Sequence, residues 1–130
     1  MTETIRQQIL VVEDDPGVAR LIRQQLEMAG FAVHIEDHGA NALSYAVEHR
    51  PQLVILDLRL PDIDGYEVCR QLRKLHTRWE MPILMLTGMD HPVDQLRGFA
   101  HGADAYLTKP YDRREFLQAM TLLLGNAALT

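Results

Sequence analysis

Ile9-Leu10-Val11-Val12-Glu13-Asp14-Asp15-Pro16-Gly17 is a run of four apolar residues stopped by three acids, with a proline and a glycine behind them. The apolar run is too short for a helix, shows no alternation, and is rich in branched side chains, so it reads as a strand buried on both faces. Pro16 and Gly17 open a segment in which Val18, Leu21, Ile22, Leu26 and Met28 recur at helical spacing, ending at Gly30, a residue suited to a helix C-terminus. A buried strand feeding an amphipathic helix is the first half of a βαβ unit.

The same alternation continues outward from this stretch. Phe31 to Ile35 is expected as a second strand and Ala40 to Glu48 as a second helix. Pro51 precedes Leu53-Val54-Ile55-Leu56, a third fully apolar run, which again ends in acid at Asp57. A third helix follows over Gly65 to Leu75, with Tyr66, Val68, Cys69, Leu72 and Leu75 on one face. Pro82 to Leu86 is a fourth strand ending at Thr87-Gly88, Val93 to Ala100 a fourth helix, and Ala105-Tyr106-Leu107 a fifth strand ending at Thr108-Lys109-Pro110. Phe116, Leu117, Met120, Leu123 and Leu124 make the stripe of a last helix, expected to stop at Gly125. Five strands alternating with five helices predict a doubly wound α/β sandwich, (βα)5 in three layers, because parallel neighbours need a right-handed crossover between them.

Composition narrows the class. The 130 residues are 47% apolar and 24% charged, which is ordinary for one globular domain and unlike a disordered or fibrous chain. One cysteine, Cys69, cannot make an internal disulfide and is expected to be a buried small hydrophobe. No apolar run approaches the roughly 20 residues of a membrane span, and the N-terminus lacks a signal peptide's basic-then-apolar order. A cytoplasmic protein without membrane contact is expected. The net charge of −5 argues against nucleic-acid binding by this chain, which would need clustered Lys and Arg. Six histidines show no metal-ligand spacing and are expected at the surface.

In a doubly wound sheet, ligands bind beyond the carboxyl ends of the strands, where the strand order reverses. The residues falling there are Glu13, Asp14, Asp57, Thr87 and Lys109. Parallel strands lie about 4.8 Å apart, so adjacent first and third strands would gather three carboxylates. Such a cluster needs a cation, and hard oxygen ligands suit Mg²⁺ with water and phosphate oxygens completing the shell. With a lysine and a hydroxyl beside it, the set fits phosphoryl transfer, where catalysis is mostly positioning and charge neutralisation. Any one of these residues alone has a plainer explanation: a lone acid after a strand usually caps a helix.

The motifs Ile9 to Asp15, Leu56-Asp57-Leu58-Arg59-Leu60-Pro61-Asp62-Ile63-Asp64-Gly65, Leu86-Thr87-Gly88 and Gly102-Ala103-Asp104-Ala105-Tyr106-Leu107-Thr108-Lys109-Pro110 resemble, in order and spacing, the receiver domain of two-component response regulators. The resemblance covers Ile9 to about Leu124 and implies a flavodoxin-like strand order 2-1-3-4-5. It divides the chain into a lead-in (1–8), a receiver (9–125) and a tail or linker start (126–130). It also implies roles. Asp57 would accept a phosphoryl group from a histidine kinase or histidine phosphotransfer protein. Glu13, Asp14, Asp57 and the backbone carbonyl of Arg59 would hold Mg²⁺. Thr87 and Lys109 would contact the phosphoryl group, and Thr87 and Tyr106 would switch the surface of the fourth helix, fifth strand and fifth helix toward an effector. Such a chain catalyses only its own phosphotransfer and dephosphorylation. The peptide before Pro110 is cis in many members. Arg59 and Met89 occupy the positions that set phosphoryl lifetime, and a long and an apolar side chain there imply slow decay.

Two rivals are weighed against this. Haloacid dehalogenase-like phosphatases also use an aspartate nucleophile and Mg²⁺, but they place a second acid where this chain has Arg59. The alternative is a pseudoreceiver, an interaction module not regulated by phosphorylation; such proteins have typically lost the acids, threonine or lysine that are all present here. A weak homodimer through the fourth helix, fifth strand and fifth helix would use Arg97, Asp104 and Glu115, though Ala119 stands where the usual arginine would be. The five residues after Gly125 are too few for an effector domain, so the chain is expected to be either a free-standing receiver or the receiver portion of a longer protein.

Overall fold

A computed structural model describes residues 6–77 and 80–129, with side chains described as far as Gly125. The chain runs β1 (Gln8–Val12), α1 (Pro16–Met28), β2 (Ala32–Glu36), α2 (Gly39–His49), β3 (Leu53–Leu56), α3 (Gly65–Leu75), β4 (Ile83–Thr87), α4 (Pro92–Ala100), β5 (Ala105–Thr108) and α5 (Arg113–Leu129). The five strands form one parallel sheet in the order β2-β1-β3-β4-β5. This is the expected doubly wound fold, and it places β1 beside β3, with Val12 paired to Leu56.

Why the central strands are apolar throughout follows from the layers. Successive side chains of a strand point to opposite faces. Leu10, Val12, Val54, Leu56, Ile83 and Met85 pack with Ala42, Ala46, Val68, Cys69 and Leu72 of α2 and α3. Ile9, Val11, Ile55, Leu84 and Leu86 pack with Ile22 and Leu26 of α1 and Phe116 and Met120 of α5. Both faces are therefore dry, and β1 after Gln8, β3 and β4 carry no polar residue until their carboxyl ends. The edge strands β2 and β5 are only half-buried. Among the described residues, no helix is long and apolar enough to cross a membrane.

Two expectations are corrected. Helix α5 continues through Gly125 to Leu129 instead of stopping there. Glycine within a helix costs only about 1 kcal/mol relative to alanine, and it ends a helix only when the backbone turns left-handed, as at Gly30 (φ 97°) after α1. His76, expected at the surface, is buried: the chain leaves α3 at this residue and turns the ring inward, where Nε2 lies 3.4 Å from the carbonyl of Ala46 in α2. Cys69 is fully buried, as expected, with Sγ 3.4 Å from the carbonyl of His101.

Candidate phosphoryl-accepting site

The site is built from the carboxyl ends of four strands, β1, β3, β4 and β5. β1 delivers Glu13, whose backbone N–H still pairs with the edge strand through Glu36, while Asp57 N–H donates to Val12 at the end of β3. These two bonds keep the last rungs of the ladder intact and set both acids at one level. Lys109 follows β5, where its N–H donates to the Thr87 carbonyl at 2.7 Å, and the Lys109–Pro110 peptide is cis. Asp15 takes a different job: its Oδ1 accepts from Gly17 and Val18, capping α1 and releasing Glu13 and Asp14 to face the pocket.

Lys109 Nζ bridges the cluster, 2.5 Å from Glu13 Oε1 and 3.1 Å from Asp57 Oδ2. Glu13 is 3% exposed and Asp57 7%, whereas Asp14 stands in solvent at the mouth. Burial is the main force on Glu13, lifting its carboxyl from 4.5 to about 7; the Lys109 hydrogen bond opposes this and the Asp57 charge adds to it. Burial also works against the Lys109 ammonium, but the bonds and charges of Glu13 and Asp57 outweigh it and its pKa rises. The lysine is thus a fixed positive charge, and the pocket holds more acid than one lysine neutralises.

Glu13, Asp14 and Asp57 each offer an oxygen, all within 4.8 Å of one another, the one such group among the described residues. Three carboxylate oxygens at this spacing, one of them open to solvent, fit an octahedral Mg²⁺ that keeps waters for exchange with phosphate. Asp57 Oδ1 meanwhile accepts from the Arg59 N–H at 3.2 Å, which leaves Oδ2 on Lys109. A tight turn supports the loop after Asp57: Gly65 N–H donates to Leu58, and a Cβ at Gly65 would sit 2.5 Å from Leu58 Cα and 2.7 Å from the Asp57 carbonyl. Only glycine fits there.

Thr87 is fully buried at the end of β4, its hydroxyl oxygen 3.4 Å from Met89 N. Tyr106 is half-buried; its hydroxyl donates to the Met89 carbonyl at 2.7 Å, and its ring lies against Gly98, where a Cβ would be 3.1 Å from Cδ2. The loop after β4 is therefore held from both Thr87 and Tyr106. Desolvation chiefly raises the Tyr106 pKa, so the phenol stays a donor.

Two of the three charges expected at a dimer surface, Asp104 and Arg97, are engaged within the chain. Arg73 holds Asp104 Oδ2 at 2.8 Å, the Gly102 carbonyl at 2.8 Å and the Met81 carbonyl at 2.8 Å, and Arg97 lies 4.3 Å over the Tyr66 ring. Nothing in the spacing of the sequence marks the Arg73 clasp, because its partners lie 8 to 31 residues further along the chain and are reached only through the fold.

A parallel five-stranded sheet with an acidic pocket, a lysine and a buried threonine at its carboxyl ends defines a class, the flavodoxin-like domains whose ligand site lies at the switch point between β1 and β3. Comparison with known proteins goes further. Residues 9–121 match the family model of the response regulator receiver domain, and the chain belongs to that family. It is 42% identical over 116 residues to the DNA-binding dual master transcriptional regulator RpaA of Synechocystis, covering 89% of this chain and 48% of that protein. The chain spans about half the length of the curated relatives it matches. Among solved structures, a putative response regulator from Chloroflexus aurantiacus superposes with a TM-score of 0.86 at 34% identity, covering 93% of this chain and 99% of that one. The receiver domain of a sensor histidine kinase from Pseudomonas aeruginosa, solved with a magnesium ion coordinated in its active site cleft, gives 0.85 at 30% identity, with 93% and 99% covered.

Proposed function

We propose that this receiver takes a phosphoryl group onto Asp57 from a histidine kinase or histidine phosphotransfer protein and so changes its affinity for an effector. The observation that carries the proposal is the bridging of Glu13 and Asp57 by Lys109 in a pocket with a third carboxylate, Asp14, at its mouth. An Asp57 oxygen forms the new bond to phosphorus as the bond from phosphorus to the donor's imidazole nitrogen breaks, and the imidazole leaves with that electron pair. Lys109 is already within reach of Asp57 Oδ2 and would follow the added charge onto the phosphoryl oxygens. Mg²⁺, held by Glu13, Asp14, Asp57 and the Arg59 carbonyl, would neutralise charge on the transferring group. Thr87 would turn its hydroxyl to a phosphoryl oxygen, and the Met89 loop it shares with Tyr106 would carry that change to the surface of α4, β5 and α5. A homodimer through this surface is not favoured, because Asp104 and Arg97 already have intrachain partners.

Incubation with acetyl phosphate and Mg²⁺, read by intact mass, tests the proposal. Wild type is expected to gain one phosphoryl adduct and Asp57→Asn none. An unmodified wild type, or an adduct that survives in Asp57→Asn, would return the chain to the reading of a pure interaction module.

A further inference from the structure

Helices α1 and α3 are each capped by their own preceding aspartate, Asp15 and Asp64. Helix α2 is not: His38 sits at its N-cap and its side chain makes no capping bond. The missing acceptor arrives from the loop between β3 and α3. Asp62 Oδ1 accepts from Gly39 N–H at 2.8 Å and Oδ2 from Ala40 N–H at 2.9 Å. Both oxygens of one carboxylate thus close the open end of a helix that precedes it by more than twenty residues, with the helix dipole favouring the negative charge. Chiefly through the Ala40 bond, the Asp62 carboxyl stays below the usual carboxylate range although the residue is exposed.

The joint is also tight. A Cβ at Gly39 would meet Val68 Cγ2 at 2.7 Å and Ile63 Cβ at 3.2 Å, so α2, the loop and α3 meet at this point. The loop's two ends are fixed separately, by Gly65 N–H on the Leu58 carbonyl and by Asp64 capping Tyr66. Between them Arg59, Leu60 and Pro61 form a crest with Arg59 and Pro61 exposed. Leu60 and Ile63 pack against the core beneath it, and the Asp62 carboxylate adds the hydrogen-bonded tie from this loop to the start of α2.

We propose that Asp62 is a positioning residue of the phosphoryl-accepting site, latching the crest to the start of α2 so that the Arg59 carbonyl and the Asp57 carboxylate are held in place for a divalent cation. This rests on the receiver reading above. Calorimetric titration of the purified chain with Mg²⁺ tests it in Asp62→Ala and Asp62→Asn, together with amide exchange at Gly39 and Ala40 and melting temperature without metal. Both substitutions remove one negative charge, so the difference between them reports the hydrogen bonds. Asp62→Ala should weaken Mg²⁺ binding by about threefold to tenfold and speed exchange at both amides, with Asp62→Asn recovering much of the loss through its remaining oxygen. Equal weakening in both variants, or a lowered melting temperature with Mg²⁺ affinity unchanged, overturns the latch. If wild type takes up a phosphoryl group while Asp62→Ala binds Mg²⁺ normally, the latch fails and the receiver reading stands. If Asp62→Ala weakens Mg²⁺ binding as expected but wild type accepts no phosphoryl group, the receiver reading fails and the latch stands.

Discussion

Acidification from pH 8 to pH 6 should weaken Mg²⁺ binding about tenfold, and Glu13 is the reason. Its carboxyl, buried and facing Asp57, titrates at about 7 despite the lysine beside it. A carboxylate must lose its proton to become a ligand, so proton and cation compete for the same oxygen. With a midpoint near 7, Glu13 is ionised in about 90% of molecules at pH 8 and about 10% at pH 6, so the apparent dissociation constant for Mg²⁺ rises about tenfold across those two units. At pH 7 each binding event should release about half a proton. Calorimetry in two buffers of different ionisation enthalpy measures both quantities. Glu13→Gln should bind more weakly at every pH and show no slope. His38 also titrates nearby, its pKa raised chiefly by the hydrogen bond to Asp37 and in part by the charge of Asp14, so His38→Asn serves as the control and should keep the slope. A dissociation constant that is flat from pH 6 to pH 8 refutes the reasoning, and a slope lost in His38→Asn but kept in Glu13→Gln moves it to the histidine.

The same carboxyl governs stability without metal. Because its folded pKa of about 7 lies above the ordinary 4.5, the native state holds the extra proton between those values, and stability falls as pH rises through that window, by up to about 3 kcal/mol. Urea unfolding with a chelator at pH 5 and pH 8 should show the chain more stable at pH 5. Gly65→Ala drives a methyl group into Leu58 Cα and the Asp57 carbonyl and should cost about 2–3 kcal/mol in urea unfolding, with slower phosphoryl uptake on the displaced Asp57. Changing Arg59 and Met89 together to Asn should shorten the life of the phosphorylated form severalfold by admitting water, followed as decay of the adduct; an unchanged decay would remove these two side chains from the account.

How far the sequence could be read differs from element to element. Ile9 to Val12 and Leu53 to Leu56 were legible because a strand buried on both faces leaves an unbroken apolar run, and their acids were legible because such a run has no other reason to end in charge. Asp15 and Asp64 follow the local rule for helix caps. Asp62 does not, since the helix that it caps lies before it in the chain and is reached only through the tertiary fold. The one available signal was negative: α2 begins at a histidine with no cap of its own. His76 and Arg73 escaped for a related reason. A polar residue on a helical pattern looks solvated unless the partner that buries it is known, and here the partners are the Ala46 carbonyl of α2 and the Gly102 carbonyl and Asp104 carboxylate before β5.

By itself, the sequence determined the alternation of strands and helices, the parallel sheet it demands, and the identities of Glu13, Asp14, Asp57, Thr87 and Lys109, because periodicity and strand-end chemistry are local properties of the chain. Tertiary structure decided what those residues are to one another. Pairing β1 with β3 set Glu13 beside Asp57, and the return of β5 on the far side of β4 brought Lys109 across to both. Burial then did what no spacing encodes: it raised Glu13 to about 7 while leaving Asp14 in water. The desolvation of a charge depends on every atom packed around it, and that packing exists only once the chain has folded.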